Sequence, residues 1–422
     1  MKILWIVNTI FPAPSKELGL PEPVVGGWMY GLAKQVSETI GVELAVATSS
    51  IFTEVKKIDK QGIKYYILPC NNNTKYDPKL EGYWTEVCNE FQPDVVHIHG
   101  TEYTHGLACM RKLPHLNYVV SIQGLVGVYA RYYFARMTFS EILKTITFRD
   151  LVRWDTLWQQ KRKFEVRGQF EKEYIRKTKS VIGRTSWDFA HTKSINSNVN
   201  YHFCNESLRD GFYSAVKWTY EKCETNTIFL SQAGYPIKGL HQVLKALITV
   251  KKTYPNVKIK VGGNNIIKTL SLKDKIRLTG YGKYIKRLIS NNALENNILF
   301  LGALTEEEII KEYLSANLFI CPSSIENSPN SLGEAQILGV PLIAAYVGGV
   351  PDMVVDGKTG FLYRFEETNM LALLIERIFS MSTTKLNQLS MNEQKIALKR
   401  HDSNFNVKQL TYIYKNVCHS NN

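Results

Sequence analysis

The sequence predicts an α/β protein of two doubly wound domains, and three observations carry that expectation. Short β-rich runs alternate with amphipathic helical patterns along almost the whole chain, the arrangement that builds parallel sheets flanked by helices. The alternation comes in two series, separated by a polar, strand-poor stretch near residues 205–225 that reads as a linker. A length of 422 residues is ample for two hydrophobic cores without disulfide staples.

In the first series residues 3–7, 42–47, 63–68, 95–98, 118–122 and 180–182 read as strands, with helices near 28–39, 79–91 and 104–112. The second series has strands at 228–231, 257–261, 298–301, 318–322 and 342–345. Leu240, Val243, Leu244, Leu247 and Val250 recur at helical spacing, and Thr305 with Glu308 has the form of a capping box. These signals give one domain over 1–205 and, with the linker, another over 206–401. A helical tail over 402–422 has no strand partner and is expected to fold back on the first domain. Residues 128–177 exceed what one connection needs and read as a basic helical insertion in the first domain.

Hydrophobic residues make up 44% of the chain and charged residues 21%, a balance that excludes disordered and fibrous classes. No run of about 18 apolar residues is present to span a bilayer. The opening MKILWIV is followed at once by Asn8 and Thr9, and reads as a first strand rather than a signal peptide. Seven cysteines without CxxC spacing suit reduced thiols in a cytoplasmic protein and argue against structural zinc. The net charge of +14 points to an acidic partner: phosphorylated substrates, an anionic membrane surface or nucleic acid. Residues 131–193 hold fifteen Lys or Arg against seven Asp or Glu, interleaved with aromatic residues that include Trp154 and Trp158. Two readings of residues 128–177 stay open: amphipathic helices resting on an anionic membrane face, or a solvated helical insertion.

Residues 321–363, CPSSIENSPNSLGEAQILGVPLIAAYVGGVPDMVVDGKTGFLY, concentrate the chemistry. Ser328 before Pro329 predicts an N-cap with proline at the first helical position, and Gly339 predicts the helix end. Backbone N–H groups of Asn330, Ser331 and Leu332 at that N-terminus suit a phosphate or a sugar oxygen. Glu334 in the next turn and Glu326 in the preceding loop put a carboxylate on each side of that position. Lys238 and Gly239, in SQAGYPIKG, follow a strand and open a helix, a place from which an ammonium reaches a bound phosphate. Gly26 and Gly27 lie between the first strand and its helix, where residues without Cβ let backbone approach a ligand. His97, His99 and His105 match no recognised ligand spacing, so no metal is expected.

Glu326, seven intervening residues and Glu334, followed by EAxxxGVPxIAxxxGGxPDxVxDGxTGFL, resemble the donor-site signature of retaining nucleotide-sugar glycosyltransferases of family four. The resemblance implies the GT-B fold, two doubly wound Rossmann-like domains facing a central cleft. It also implies that Glu334 binds the ribose hydroxyls of the nucleotide and Glu326 contacts the donor sugar, with Gly26 and Gly27 beside the pyrophosphate. The substrate is then a nucleoside diphosphate sugar, and neither a metal nor another cofactor is required. Two positions depart from the family pattern. Ala233 stands where the family carries a phosphate-binding Arg, leaving Arg184 in GRTSWD or Arg209 in CNESLRDGFY as other sources of charge, or as structural residues. Gln123 stands where the family has an acceptor-side His, leaving Glu102 and His105 as alternatives.

The runs RGQFEKEY, VIGRTSWD and CNESLRDGFY are similar to a subset of bacterial polysaccharide-assembly glycosyltransferases. The expected activity is retaining transfer of a hexosyl group to a hydroxyl of a glycan acceptor, a lipid-linked polysaccharide precursor, by a cytoplasmic protein peripheral on the inner face of the cell membrane. Lys238 and the helix N–H groups would stabilise the departing phosphate, and Glu326 the charge that develops on the sugar ring. A GT-B sugar-nucleotide epimerase is the nearest competing enzyme, which the paired-glutamate spacing disfavours. An inactive membrane- or nucleic-acid-binding protein is the alternative from another class. Intact Glu326, Glu334 and Lys238 count against it.

Overall fold

The computed structural model describes residues 1–21, 26–70 and 72–419. The chain divides into two units, one made of residues 1–128, 165–210 and the segment from His401, the other of residues 129–164 and 211–400. In the first unit β1 (Lys2–Ile6), β2 (Glu43–Ser50), β3 (Lys56–Lys60), β4 (Ile63–Pro69), β5 (Val95–His99), β6 (Tyr118–Ser121), β7 (Ser180–Gly183) and β8 (Asn200–Phe203) form one sheet. Its order is β3-β4-β2-β1-β5-β6-β7-β8, parallel except for the β3–β4 hairpin. Alternate residues of β1 serve two cores: Leu4 and Ile6 face one, Ile3 and Trp5 the other. Burial on both faces is why the parallel strands read as unbroken apolar runs.

Helices Lys79–Phe91 and His105–Lys112 cover one face through Trp84, Phe91, Leu107 and Met110. Helices Gly27–Ser37 and Ser403–His419 cover the other through Leu32, Val36, Ile413 and Tyr414. Trp5 Nε1 donates to Tyr414 Oη at 2.9 Å, which fixes the C-terminal helix against β1. Two strands of this sheet, β3 and β8, escape the sequence reading because both lie on its edges and carry polar residues. The sequence of β3, KKIDK, keeps lysines on an outer edge, where they oppose pairing with another chain. The hairpin turn uses Gln61 and Gly62 at φ of 55° and 73°, the two left-handed residues of a type I′ turn.

Gly127 and Gly168 let the helix Leu157–Lys177 approach residues 126–129 closely: a Cβ on Gly168 would stand 2.4 Å from Gly127 Cα. That approach buries Glu171, which accepts hydrogen bonds from Val126 N (2.8 Å), Gly127 N (3.1 Å) and Thr101 Oγ1 (3.2 Å). Burial outweighs these donors and pushes the carboxyl up to about 8. The folded state therefore holds a proton that the unfolded chain releases near pH 4.5. Stability is fully present below that value and is lost as pH rises through 8, by on the order of 5 kcal/mol. Glu171→Gln should flatten this slope and leave the variant more stable than the parent at pH 9 in urea unfolding. Parent stability that stays level between pH 5 and 8 would contradict the assignment.

The second unit has β9 (Glu224–Leu230), β10 (Lys258–Gly262), β11 (Ile298–Gly302), β12 (Ala316–Cys321), β13 (Leu342–Ala345) and β14 (Phe361–Tyr363), all parallel, in the order β11-β10-β9-β12-β13-β14. Helix Leu240–Thr253 buries Leu240, Val243, Leu244, Leu247 and Val250, and the Thr305–Glu308 capping box opens helix Glu306–Ser315. Two expectations need correction. The stretch 211–225 is no free linker, because Trp218 is buried, its Nε1 donating to Ala316 O and its backbone N to Leu338 O, each at 2.8 Å. Most of the insertion expected in the first domain, residues 129–164, belongs to the second unit. His241 Nε2 donates to Ala135 O (2.8 Å), Tyr284 Oη to Glu141 Oε1 (2.6 Å) and Lys283 Nζ to Ile146 O (2.9 Å). Among the described residues no helix is long and apolar enough to cross a membrane.

Candidate functional site

From β9 the chain winds outward through β10 and β11, then returns to place β12 on the other side of β9. Connections that leave neighbouring strands in opposite directions open a crevice at their carboxyl ends, where open α/β sheets bind ligands. Lys238 follows β9 and Glu326 follows β12, and the two meet there: Lys238 Nζ lies 2.6 Å from Glu326 Oε1, with side chains 12% and 9% exposed. Ser323 Oγ donates to the same oxygen at 2.7 Å. Burial acts to lower the Lys238 pKa, but the attraction of the Glu326 carboxylate and its hydrogen bond help to outweigh it, so the ammonium is held above its usual range. Ser231, Gln232 and Ser331 line the same small pocket.

Backbone contacts lock the two loops together. Ser324 N donates to Ile237 O at 2.7 Å, and a Cβ on Gly239, at φ 73°, would stand 1.7 Å from Pro322 O. From the other side Gly349 N donates to Glu326 O at 3.0 Å, while a Cβ on Gly348, at φ 52°, would stand 1.9 Å from that carbonyl. The positions of Lys238 and Glu326 are thus set by main chain that tolerates no side chain at either glycine.

Helix Asn330–Leu338 begins one residue later than expected. Pro329 is extended and is itself the N-cap residue, and the Ser328 hydroxyl donates to Met353 Sδ at 3.5 Å instead of capping. Leu332 N–H donates to Pro329 O at 3.0 Å and so leaves the expected phosphate-binding set. The N–H groups of Asn330 and Ser331 precede any acceptor within the helix and stay in that set. Gly339, at φ 78°, ends the helix as expected, and Glu334 is buried one turn inside it. Ala233 is buried and brings no charge to the pocket.

The first sheet reverses in the same way, between β1 and β5. Gly26, at φ 84°, is the N-cap of helix Gly27–Ser37, and a Cβ on it would meet Thr9 Cγ2 at 2.9 Å. A Cβ on Gly27 would lie 3.2 Å from Arg209 Cδ, so this arginine stands beside the glycine pair. Glu102 follows β5, and burial raises its carboxyl above the usual range against the nearby Arg167 and Arg184.

The other acceptor-side candidates are each engaged within the first unit. Gln123 donates to Glu206 Oε1 at 2.6 Å. Arg184 pairs with Glu206 and donates to Ile122 O (3.1 Å) and Gln123 O (3.0 Å), which makes it a clamp on the ends of β6 and β7 rather than a spare phosphate ligand. His105 is a core residue: its Nε2 donates to Val7 O at 3.0 Å, and burial pulls the ring down to about 4. His97 and His99 are buried with ring centroids 3.8 Å apart, and His97 bonds Tyr414 Oη (2.5 Å) and Ser121 Oγ (2.7 Å). Among the described residues no group of three His, Cys, Asp or Glu side chains has an arrangement that could hold a metal.

Sequence reasoning missed Ser323, which shares Glu326 Oε1 with Lys238, and the use of Gly348 as a rest for the Glu326 backbone. Both lie inside the run CPSS…GGVPD. The GG pair followed by Pro was the available signal for the second.

Residues 218–396 match the family described as glycosyl transferases group 1. Over 188 residues the chain is 25% identical to a D-inositol 3-phosphate glycosyltransferase of Corynebacterium urealyticum, an alignment covering 43% of this chain and 41% of that protein. It is 38% identical over 68 residues to sulfoquinovosyl transferase SQD2 of Arabidopsis thaliana, covering 15% of this chain and 13% of that one. The chain therefore aligns with less than half the length of these curated relatives. Among solved structures, sucrose-phosphate synthase from Thermosynechococcus elongatus superposes over 100% of both chains with a TM-score of 0.73 at 15% identity. Anabaena HepE, solved with UDP and glucose, superposes over 99% of this chain and 100% of its own with a TM-score of 0.64 at 16% identity. The chain has the GT-B fold of these structures and, over residues 218–396, is similar to the glycosyl transferases group 1 family.

Proposed function

We propose that the protein transfers a hexosyl group, with retention, from a nucleoside diphosphate sugar to a hydroxyl of a glycan acceptor, a lipid-linked polysaccharide precursor met at an anionic membrane face. The observation that carries this reading is the buried Lys238–Glu326 pair at the β9–β12 reversal, beside the N-terminus of helix Asn330–Leu338. The Lys238 ammonium and the N–H groups of Asn330 and Ser331 suit the diphosphate, on which charge builds as the sugar departs. Lys238 and Ser323 both engage Glu326 Oε1, and its Oε2 is assigned to sugar hydroxyls. Glu334, one turn further on, is assigned to the ribose hydroxyls. The bond between the anomeric carbon and the phosphate oxygen breaks, the acceptor oxygen bonds to that carbon on the same face, and the acceptor proton passes to the departing phosphate. The scheme uses no metal.

UDP-hexoses are the first donors to test, because HepE and a trehalose-6-phosphate protein of E. coli were solved with UDP or a UDP sugar. Incubation with a panel of nucleotide sugars should release free nucleoside diphosphate for at least one of them, with chelator present. Glu334→Gln should weaken binding of that nucleotide by on the order of 1 to 3 kcal/mol in calorimetry, since an amide accepts weaker hydrogen bonds than a carboxylate. Unchanged affinity would remove Glu334 from the site, and no release from any sugar would remove the transferase reading.

A further inference from the structure

Two short helices of the second unit, Phe148–Val152 and Leu272–Arg277, lie against each other and turn apolar residues to solvent. Phe148 and Leu151, three residues apart, share one helical face, and Leu272 and Ile276, four apart, share another. With Trp154 and Leu270 they make six large apolar side chains, all at least 60% exposed. Leu272–Arg277 buries none of its residues, yet Ser271 and Asp274 give it a full capping box, as Thr147 and Asp150 do for the partner helix. Local hydrogen bonds therefore hold Leu272–Arg277 in a shape that its own burial does not explain. The supports beneath are specific: Lys283 Nζ donates to Ile146 O at 2.9 Å and Arg287 Nη1 to Lys144 O at 3.0 Å.

Charge surrounds the apolar face. Residues 136–154 and 264–291 together hold eleven Lys or Arg against three Asp or Glu. Arg153, Lys268, Lys273, Lys275 and Arg277 are exposed, and Arg149 is engaged by Asp150 and Asp155. Trp158, expected on the same face, is half-buried against Phe134 and Phe139 instead.

We propose that these two helices form one bipartite docking face for an anionic lipid surface, with their apolar side chains entering the headgroup layer and the flanking lysines and arginines meeting lipid phosphates. Bulky aliphatic side chains gain nothing from a nucleic acid backbone, whereas basic residues around an apolar face complement a membrane interface. The proposal deepens the reading above, resting on it for the lipid-linked acceptor; it narrows the membrane contact expected within residues 131–177 to 148–154 and adds 270–277.

The test is co-sedimentation of the full chain with phosphatidylcholine vesicles, with and without phosphatidylglycerol, at low and high salt. Binding should need the anionic lipid and weaken in high salt. Leu151→Glu with Trp154→Glu, and separately Leu272→Glu with Ile276→Glu, should each lower binding by about tenfold or more with an unchanged melting temperature. Lys273→Glu with Arg277→Glu changes charge alone and provides a second route should an apolar variant misfold; it should weaken binding and blunt the salt dependence. Loss from the first pair only would overturn the bipartite face. Equal binding to neutral vesicles, binding to an oligonucleotide in place of vesicles, or self-association abolished by these variants would overturn the lipid assignment. Release of nucleoside diphosphate, measured without vesicles, should be unchanged in every variant, so failure of the transferase reading is separable from failure of this one.

Discussion

Lys238→Ala should abolish detectable transfer and cost nucleoside diphosphate binding far more than nucleoside binding. A hydrogen bond to a charged group contributes about 1.5 to 3 kcal/mol, so losing the ammonium alone should weaken diphosphate binding by roughly one to two orders of magnitude. With Ala233 in the neighbouring loop, no arginine of that loop shares the load. The variant should also be less stable by about 3 to 5 kcal/mol, because it leaves Glu326 buried without its partner. Lys238→Met combined with Glu326→Gln should recover much of that stability and none of the transfer, which separates the structural from the chemical role. Glu326→Gln alone removes the attraction that keeps the ammonium charged, and burial then lowers the Lys238 pKa. Its diphosphate binding should therefore fall off at a lower pH than the parent's. Equal loss of nucleoside and diphosphate affinity in Lys238→Ala would make Lys238 a structural residue.

The doubly wound plan was legible because parallel strands buried on both faces print themselves as apolar runs such as MKILWIV, VVHIH and ANLFIC. What escaped was at the margins. Edge strands β3 and β8 carry polar residues on solvated sides, so period and composition both point away from strand. Residues 129–164 follow the first series in sequence but bond to helices of the second unit, and nothing local in the segment records a partner such as His241, more than a hundred positions away. The polar stretch after 205 looked like a linker because its anchors, buried Phe212 and Trp218, find partners such as Tyr313 and Ala316 O about a hundred positions away.

At the site, residues bound to a local backbone geometry were readable. Gly239 and Gly339 sit where only a left-handed residue fits, and Lys238 and Glu326 follow the two strands that flank the sheet's reversal. Histidines were ambiguous, since the same ring serves as ligand, base or core residue, and burial is what distinguishes them. His105 and His97 are held by Val7 O, Tyr414 and Ser121, partners that sequence spacing does not reveal. Arg184 was likewise ambiguous until Glu206 engaged it. The helix start moved by one residue because an extended Pro329 can itself occupy the N-cap position, leaving Ser328 outside.

Gly348→Ala and Gly239→Ala should dismantle the donor pocket without touching any side chain in it. Each glycine has positive φ, a conformation that costs an alanine about 1 kcal/mol, and each would drive its Cβ into a backbone carbonyl, at 1.9 Å and 1.7 Å. A carbonyl fixed by its own peptide yields less readily than a side-chain tip, so the loops must part. Gly348→Ala pushes on Glu326 itself, while Gly239→Ala pushes Pro322 away from the turn that holds Lys238. Gly357 supplies the control: its φ is 71°, yet nothing lies within 4 Å of its missing Cβ. Gly357→Ala should lose only the conformational cost, lowering the melting temperature by about 2 to 4 °C with unchanged nucleotide affinity. The other two should fall further in stability and lose nucleotide binding by at least about tenfold, since a displacement near 1 Å is enough to undo a positioned site. If all three behave alike, the cost is purely that of the left-handed backbone, and the interlocked loops do not set the positions of Lys238 and Glu326.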